Sequence, residues 1–85
     1  MKVRYLKSFQ KQVVKLQPAQ TNRLKAALLL FQIEPDHPDL YNHPLTGNWA
    51  GYRSIAFGGD LRAHYKMVND IAVFVACGRH SQLYK

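Results

Sequence analysis

The chain has 85 residues and a mass of 9.8 kDa, which places it in one domain near the size at which a single core just suffices and excludes a multi-domain arrangement. Hydrophobic residues make up 47% and charged residues 20%, a balance that excludes a disordered tail or a low-complexity repeat. Twelve Lys and Arg against five Asp and Glu leave +7 at neutral pH; such a field concentrates polyanions, so nucleic acid, the ribosome or an acidic protein segment is the favoured partner class, with plain solubility as the alternative.

In chain order, the alternation of Met1 to Leu6 predicts a short strand, with Val3 and Tyr5 on one face. Ser8 reads as an N-cap, and Phe9, Val13 and Leu16 recur at helical spacing until Gln17 precedes Pro18. Lys7, Lys11 and Lys15 repeat every four residues and form a basic ridge on that helix, which a solvated face would also explain. A second helix runs from Pro18 through Leu24, Ala27, Leu28 and Phe31 to Glu34. Residues 35–48 are dense in Pro, Asp, Asn and Gly and predict a long ordered loop. From Trp49 the period becomes two, with strands expected over Trp49–Phe57, Leu61–Met67 and Ile71–Cys77, joined by turns at Gly58-Gly59 and Asn69-Asp70. In the middle run Leu61, Ala63, Tyr65 and Met67 face one way and Arg62, His64 and Lys66 the other. The expected fold is α+β: an N-terminal αα-hairpin on one face of a twisted, mostly antiparallel four-stranded sheet, with a cationic row on the opposite face.

The charge is segregated along this layout. Residues 1–25 hold seven bases and no acid, residues 26–52 three acids and no base, and residues 53–85 five bases and two acids. The lone Cys77 cannot form an internal disulfide, so a cytoplasmic location is expected. The longest apolar runs, Ala26–Phe31 and Ile71–Cys77, are far shorter than the roughly 18 residues of a membrane span, and the polar residues after Leu6 do not suit a signal peptide. No phosphate-binding loop, dinucleotide fingerprint, zincin or nucleophile-elbow motif occurs. His37, His43, His64 and His80 lack the spacings of a metal site. What remains is a polar set around the open sheet face: His43 in the loop, Arg53 and Arg62 on strands, and Arg79, His80 and Tyr84 in the tail. Such a set suits RNA cleavage, in which a 2′-hydroxyl attacks the adjacent phosphodiester with one group taking its proton, another protonating the leaving 5′-oxygen, and cations offsetting phosphoryl charge. Imidazoles serve both proton transfers near neutrality. Turn formation by His43, strand capping by His80 and core closure by Tyr84 are the competing structural roles.

Three strings carry a resemblance: His43-Pro44-Leu45-Thr46-Gly47-Asn48-Trp49-Ala50-Gly51-Tyr52-Arg53, then Gly59-Asp60-Leu61-Arg62-Ala63-His64-Tyr65-Lys66, then Cys77-Gly78-Arg79-His80-Ser81-Gln82-Leu83-Tyr84. Over about half of the chain the sequence resembles the RelE/ParE superfamily, most of all the YafQ-type mRNA interferase toxins of bacterial type II toxin–antitoxin modules. The resemblance implies a ribosome-dependent endoribonuclease that cuts mRNA in the A site of the 30S subunit, needs no metal or cofactor, and is neutralised by a cognate antitoxin in a toxin–antitoxin hetero-oligomer away from membranes. It implies His43 as general base, Asp60 as a catalytic-site carboxylate, Arg62 as the phosphate-stabilising cation, His80 as general acid, and Tyr84 as the aromatic that orients or stacks on RNA. Lys7, Lys11, Lys15, Arg53, His64 and Arg79 are the expected RNA-binding residues. The chain departs from the YafQ pattern at Ala56, Leu61 and Ala76, where that pattern has His, Trp and Arg; Arg62, His64 and Arg79 are the candidates to compensate. The alternatives are a non-enzymatic ParE-like toxin and a weakly active basic binding module.

Overall fold

Strand β1 (Lys2–Tyr5) leads through the helices α1 (Lys7–Val13) and α2 (Pro18–Ile33) to a two-residue strand β2 (His43–Pro44). A meander of β3 (Arg53–Gly58), β4 (Leu61–Val68) and β5 (Ile71–Arg79) follows, and the short helix α3 (His80–Leu83) closes the chain. This architecture is that of a computed structural model, which describes residues 1–84. The sheet order is β1-β5-β4-β3-β2, with β1 parallel to β5 and the other neighbours antiparallel. Among the described residues no helix is long and apolar enough to cross a membrane.

The α+β layering agrees with expectation, but the sheet has five strands rather than four. His43 and Pro44, expected within a loop, pair with Ser54 and Arg53 as an edge strand. The strand expected from Trp49 begins only at Arg53, because Gly47 and Gly51 take φ of +65° and +92° and turn the chain through a 3-10 turn at Gly47–Trp49.

Helix α1 also differs from the sequence pattern. Leu6 occupies its N-cap position, and the helix stops at Val13, so Lys15 lies in the following turn and only Lys7 and Lys11 of the expected ridge stand on the helix. Ser8 does not cap. Its hydroxyl donates to the Val75 carbonyl at 2.8 Å, and Gln12 Oε1 accepts from the Cys77 N–H at 2.8 Å. Pairing of β5 with β1 ends at Phe74, so these two side chains satisfy backbone groups on the edge that β1 leaves open. Helix α2 starts at Pro18, and Gln20 Oε1 accepts from the Gln17 N–H at 2.9 Å, a glutamine version of the reciprocal N-terminal cap.

The core lies between the helices and one face of the sheet. Phe31 of α2 meets Tyr65 and Phe74 edge-on at centroid distances of 4.9 and 5.4 Å, and Phe9 of α1 meets Phe74 at 5.6 Å. Offset and edge contacts of this kind contribute about 1 kcal/mol each beyond area burial. Tyr65 pairs with Phe74 whereas His64 pairs with Ala76, which makes Val75 the extra residue of a β-bulge. The extra residue reverses the alternation. Ala76 is thereby turned to the face away from the helices, and Cys77 returns to the core, where burial pushes its thiol up to about 11.

Candidate active site

The face away from the helices carries a lateral row set by strand register: His43 opposite Ser54, Ser54 opposite His64, and His64 opposite Ala76. Directly paired residues share a face, with Cβ atoms about 5 Å apart. Arg62 lies two residues from His64 on the same face, opposite Ala56. The turn around Trp49 and helix α3 cover part of this row. Trp49 Nε1–H donates to the Leu83 carbonyl at 2.9 Å, its ring sits edge-on to His64 at 4.4 Å, and Tyr84 meets His64 at 5.4 Å.

His43 is half-buried on β2, and its Nδ1 lies 2.8 Å from the Tyr41 carbonyl. A carbonyl only accepts, so Nδ1 carries the proton and the neutral ring keeps its lone pair on Nε2. The Tyr41 ring stands 4.6 Å from it and is largely exposed. His80 is exposed at the start of α3; its backbone N–H donates to the Asp60 carbonyl at 2.9 Å, and its ring lies 4.3 Å from Tyr84. The Arg62 guanidinium is folded along the sheet, with Nη1 donating to the carbonyls of Gly59 and Leu61 at 2.8 and 2.9 Å.

Burial holds His64 down at about 4, and the charges of His43, His80 and Arg62 add to the effect. The half-buried His43 reaches this ring across Ser54, Arg62 stands two residues along β4, and the exposed His80 borders it through the Tyr84 ring. Burial also raises the Tyr84 phenol, with Arg62 pulling the other way. Tyr84 Oη lies 3.3 Å from His64 Nε2.

The face thus gathers His43, Arg62, His80 and Tyr84. Asp60 and Arg79 form an exposed ion pair of 2.8 Å, so the carboxylate is already matched by a cation; Arg79, at the end of β5, pairs with the core residue Leu61 and borders Gln12 and Lys15 on the helix side of the sheet. Arg53 and His64, two of the expected RNA contacts, stand elsewhere or in another state. Arg53 faces the helices with Ile55 and donates from Nε to Asn42 Oδ1 at 3.0 Å, the atom that also accepts from Tyr65 Oη. His64 is on the expected face but fully buried; a neutral ring under Trp49 and Tyr84 is no phosphate contact, nor can it replace a missing cation. Lys7 and Lys11 belong to the helical layer, on the other side of the sheet from Arg62. Of the missed residues, Tyr41 and Ser54 had no motif of their own; only the strand register reveals Ser54. Trp49 stands in the first of the three resembling strings, but its clamp on α3 is a tertiary contact that the string does not show.

A small α+β toxin-like fold with an open polar sheet face defines the class. The family model described as the bacterial toxin of type II toxin–antitoxin systems, YafQ, matches residues 1–85, and the chain belongs to that family. It is similar to the crystal structure of YafQ from E. coli strain BL21(DE3), at 26% identity over 98% of this chain and 97% of that one, with a TM-score of 0.83. The E. coli DinJ-YafQ toxin–antitoxin complex matches at 28% identity, 98% and 96% coverage and a TM-score of 0.80. A YoeB/ParE toxin from Agrobacterium tumefaciens shares the fold, at 17% identity, 94% and 99% coverage and a TM-score of 0.74. No curated protein sequence matches the chain.

Proposed function

We propose that this toxin is a ribosome-dependent mRNA interferase, a metal-independent endoribonuclease that cuts mRNA in the ribosomal A site, acts in the cytoplasm and is neutralised by a cognate antitoxin. The observation that supports the reading is the grouping of His43, Arg62 and His80 around His64 on one face of the sheet: His43 lies across Ser54 from it, Arg62 two residues along the same strand, and His80 against the Tyr84 ring that meets it. His43 Nε2 takes the proton of the 2′-hydroxyl; the freed oxygen attacks phosphorus; the bond to the 5′-oxygen breaks and His80 protonates that oxygen, leaving a 2′,3′-cyclic phosphate and a 5′-hydroxyl. Arg62 offsets charge on the phosphoryl oxygens, Arg79 adds its cation from the end of β5, where Asp60 holds it and the start of α3, and Tyr84 orients the RNA. Lys7, Lys11 and Lys15 meet ribosomal RNA from the helical layer.

An antitoxin is supported by an apolar groove of about 580 Å³ between α1 and α2, lined by Phe9, Val13, Leu24, Leu28 and Leu29 among others. An amphipathic segment of acidic character fits both this groove and the basic N-terminal third, and DinJ-YafQ is a solved complex of related proteins. The test of the nuclease reading is cleavage of mRNA on translating ribosomes, mapped by primer extension. His80→Ala and His43→Ala each lose at least about a hundredfold in cleavage rate while remaining folded. Wild-type cleavage that survives both substitutions overturns the assignment, and toxicity without any cleavage favours a ParE-like binder.

A further inference from the structure

His64 is the one histidine of the site that chemistry at the phosphate does not use, and its surroundings are ordered around hydrogen bonding. Its Nε2 faces Tyr84 Oη at 3.3 Å. Its Nδ1 and the Ser54 hydroxyl are buried and have no hydrogen-bond partner among the described residues. Those two orphan groups belong to residues that are directly opposite each other on β3 and β4, which brings one within reach of the other by rotation of the serine hydroxyl group about its Cα–Cβ bond.

Only one proton lies between Nε2 and Tyr84 Oη. If Tyr84 supplied it, the ring proton would sit on Nδ1 and point at Ser54 Oγ, and the serine proton would be left buried without an acceptor among the described residues. If Nε2 supplies it, Nδ1 is an acceptor, the Ser54 hydroxyl donates to it, and every buried proton has a place. Orphan buried donors are the rarer and costlier case, so the second arrangement prevails. It leaves the Tyr84 hydroxyl proton unused on the protein side, at a residue that is 38% exposed and borders Arg62 and His80.

We propose that His64 is a positioning residue: as the Nε2–H tautomer, fixed from behind by Ser54, it donates to Tyr84 Oη and turns the phenolic proton outward as a hydrogen-bond donor to a non-bridging oxygen of the RNA phosphodiester. An accepting phenol is the better donor, since successive hydrogen bonds polarise one another. The depressed pKa keeps the ring neutral near neutrality, and the Ser54 hydrogen bond selects which nitrogen carries the proton. The charged and titratable groups facing it are His43 from β2, Arg62 from its own strand, and His80 and Tyr84 from the C-terminal segment, with Ser54 and Trp49 as neutral neighbours. The role in cleavage rests on the nuclease reading above; the tautomer does not.

Two measurements test it. Long-range proton–nitrogen NMR correlation on the purified full chain, wild type and Ser54→Ala, is expected to put the His64 proton on Nε2 in the wild type and to mix the tautomers in Ser54→Ala; a wild-type proton on Nδ1 overturns the proposal. In single-turnover cleavage on programmed ribosomes, His64→Leu and Tyr84→Phe are each expected to lose roughly tenfold, with ribosome affinity unchanged and no further loss in the double variant. His64→Gln, whose amide N–H reaches the place of Nε2–H, recovers most of the rate. Additive losses, or a His64→Gln variant as slow as His64→Leu despite an equal melting temperature, overturn the role of His64 alone. A wild type that cuts nothing overturns the nuclease reading, and with it the role in cleavage, whatever the tautomer.

Discussion

The burial of His64 makes the stability of this toxin depend on pH in a narrow window, and His64→Leu is the perturbation that exposes it. In the folded chain the imidazole is held at about 4 against an ordinary value of 6.5. Above pH 6.5 the ring is neutral in both states and stability is complete. As pH falls below 6.5 the unfolded chain takes up a proton that the folded one refuses, so stability declines until about pH 4, where the folded ring also charges. At about 1.4 kcal/mol per pH unit, the interval corresponds to roughly 3 kcal/mol, a large part of the 5–15 kcal/mol typical of a small domain. The dominant cause is removal of the ring from water, with His43, His80 and Arg62 adding like charge, so leucine of similar volume removes the effect without leaving a cavity. Urea unfolding of wild type and His64→Leu, run from about pH 7 to pH 4, is the assay: the wild type is expected to lose about 3 kcal/mol more than the variant over that span. Carboxylate titrations are common to both chains and cancel in the difference. Parallel curves would refute the reasoning, because they would mean that His64 protonates as easily folded as unfolded.

The remaining predictions concern the closing segment and the basic layer. Trp49→Phe keeps a ring beside His64 but removes the donor to the Leu83 carbonyl, so it should cost about 1 kcal/mol and speed amide exchange in residues 80–84; unaltered exchange there would show that the clamp does not hold α3. Gly78→Ala places a Cβ 2.7 Å from Gln82 Oε1 at φ +153°, which forces Gln82 off the Arg79 N–H it accepts from at 2.8 Å; a loss of about 1 kcal/mol or more in urea unfolding is expected, and an unchanged midpoint contradicts it. Lys11→Glu should weaken ribosome association more at low salt than at high salt, and an identical salt slope would reduce the helical cations to solubility.

Periodicity was enough for the two helices and the meander because each buries one face: Leu24, Ala27, Leu28 and Phe31 on α2, and Leu61, Ala63 and Tyr65 on β4, are buried at the spacings their elements demand. Local rules failed where a partner distant in sequence decided the outcome. Ser8 has the chemistry of an N-cap, yet the open edge of β5 claims its hydroxyl. His43-Pro44 looks like a turn because a two-residue strand has no period of its own; it is a strand only because β3 pairs with it. Arg53 reads as an exposed cation, but one residue of register decides its face, and Asn42 takes its Nε–H. The burial of His64 was equally illegible, since alternation gives the face of a residue and not what lies on top of that face; the covering Trp49 and Tyr84 come from 15 residues before and 20 residues after it.

The departures at Ala56 and Ala76 take on a definite meaning once their partners are known. Ala56 lies opposite Arg62, and Ala76 opposite His64, so both small side chains fall on the site face, whereas Leu61 is buried in the core. The YafQ pattern has a second imidazole and a second guanidinium at those two alanines. Here the space beside Ala76 is adjoined by a ring that burial keeps uncharged, so the volume is replaced and the charge is not. Beside Ala56, the Arg62 guanidinium lies along the strand on the carbonyls of Gly59 and Leu61, held in place by hydrogen bonds rather than by a neighbouring side chain of opposite charge. Electrostatic stabilisation depends on pre-organised groups more than on their number. In the proposed reaction a single oriented guanidinium on the site face and a phenol whose proton is aimed by His64 therefore divide between them the work that a pair of cations does in the family pattern.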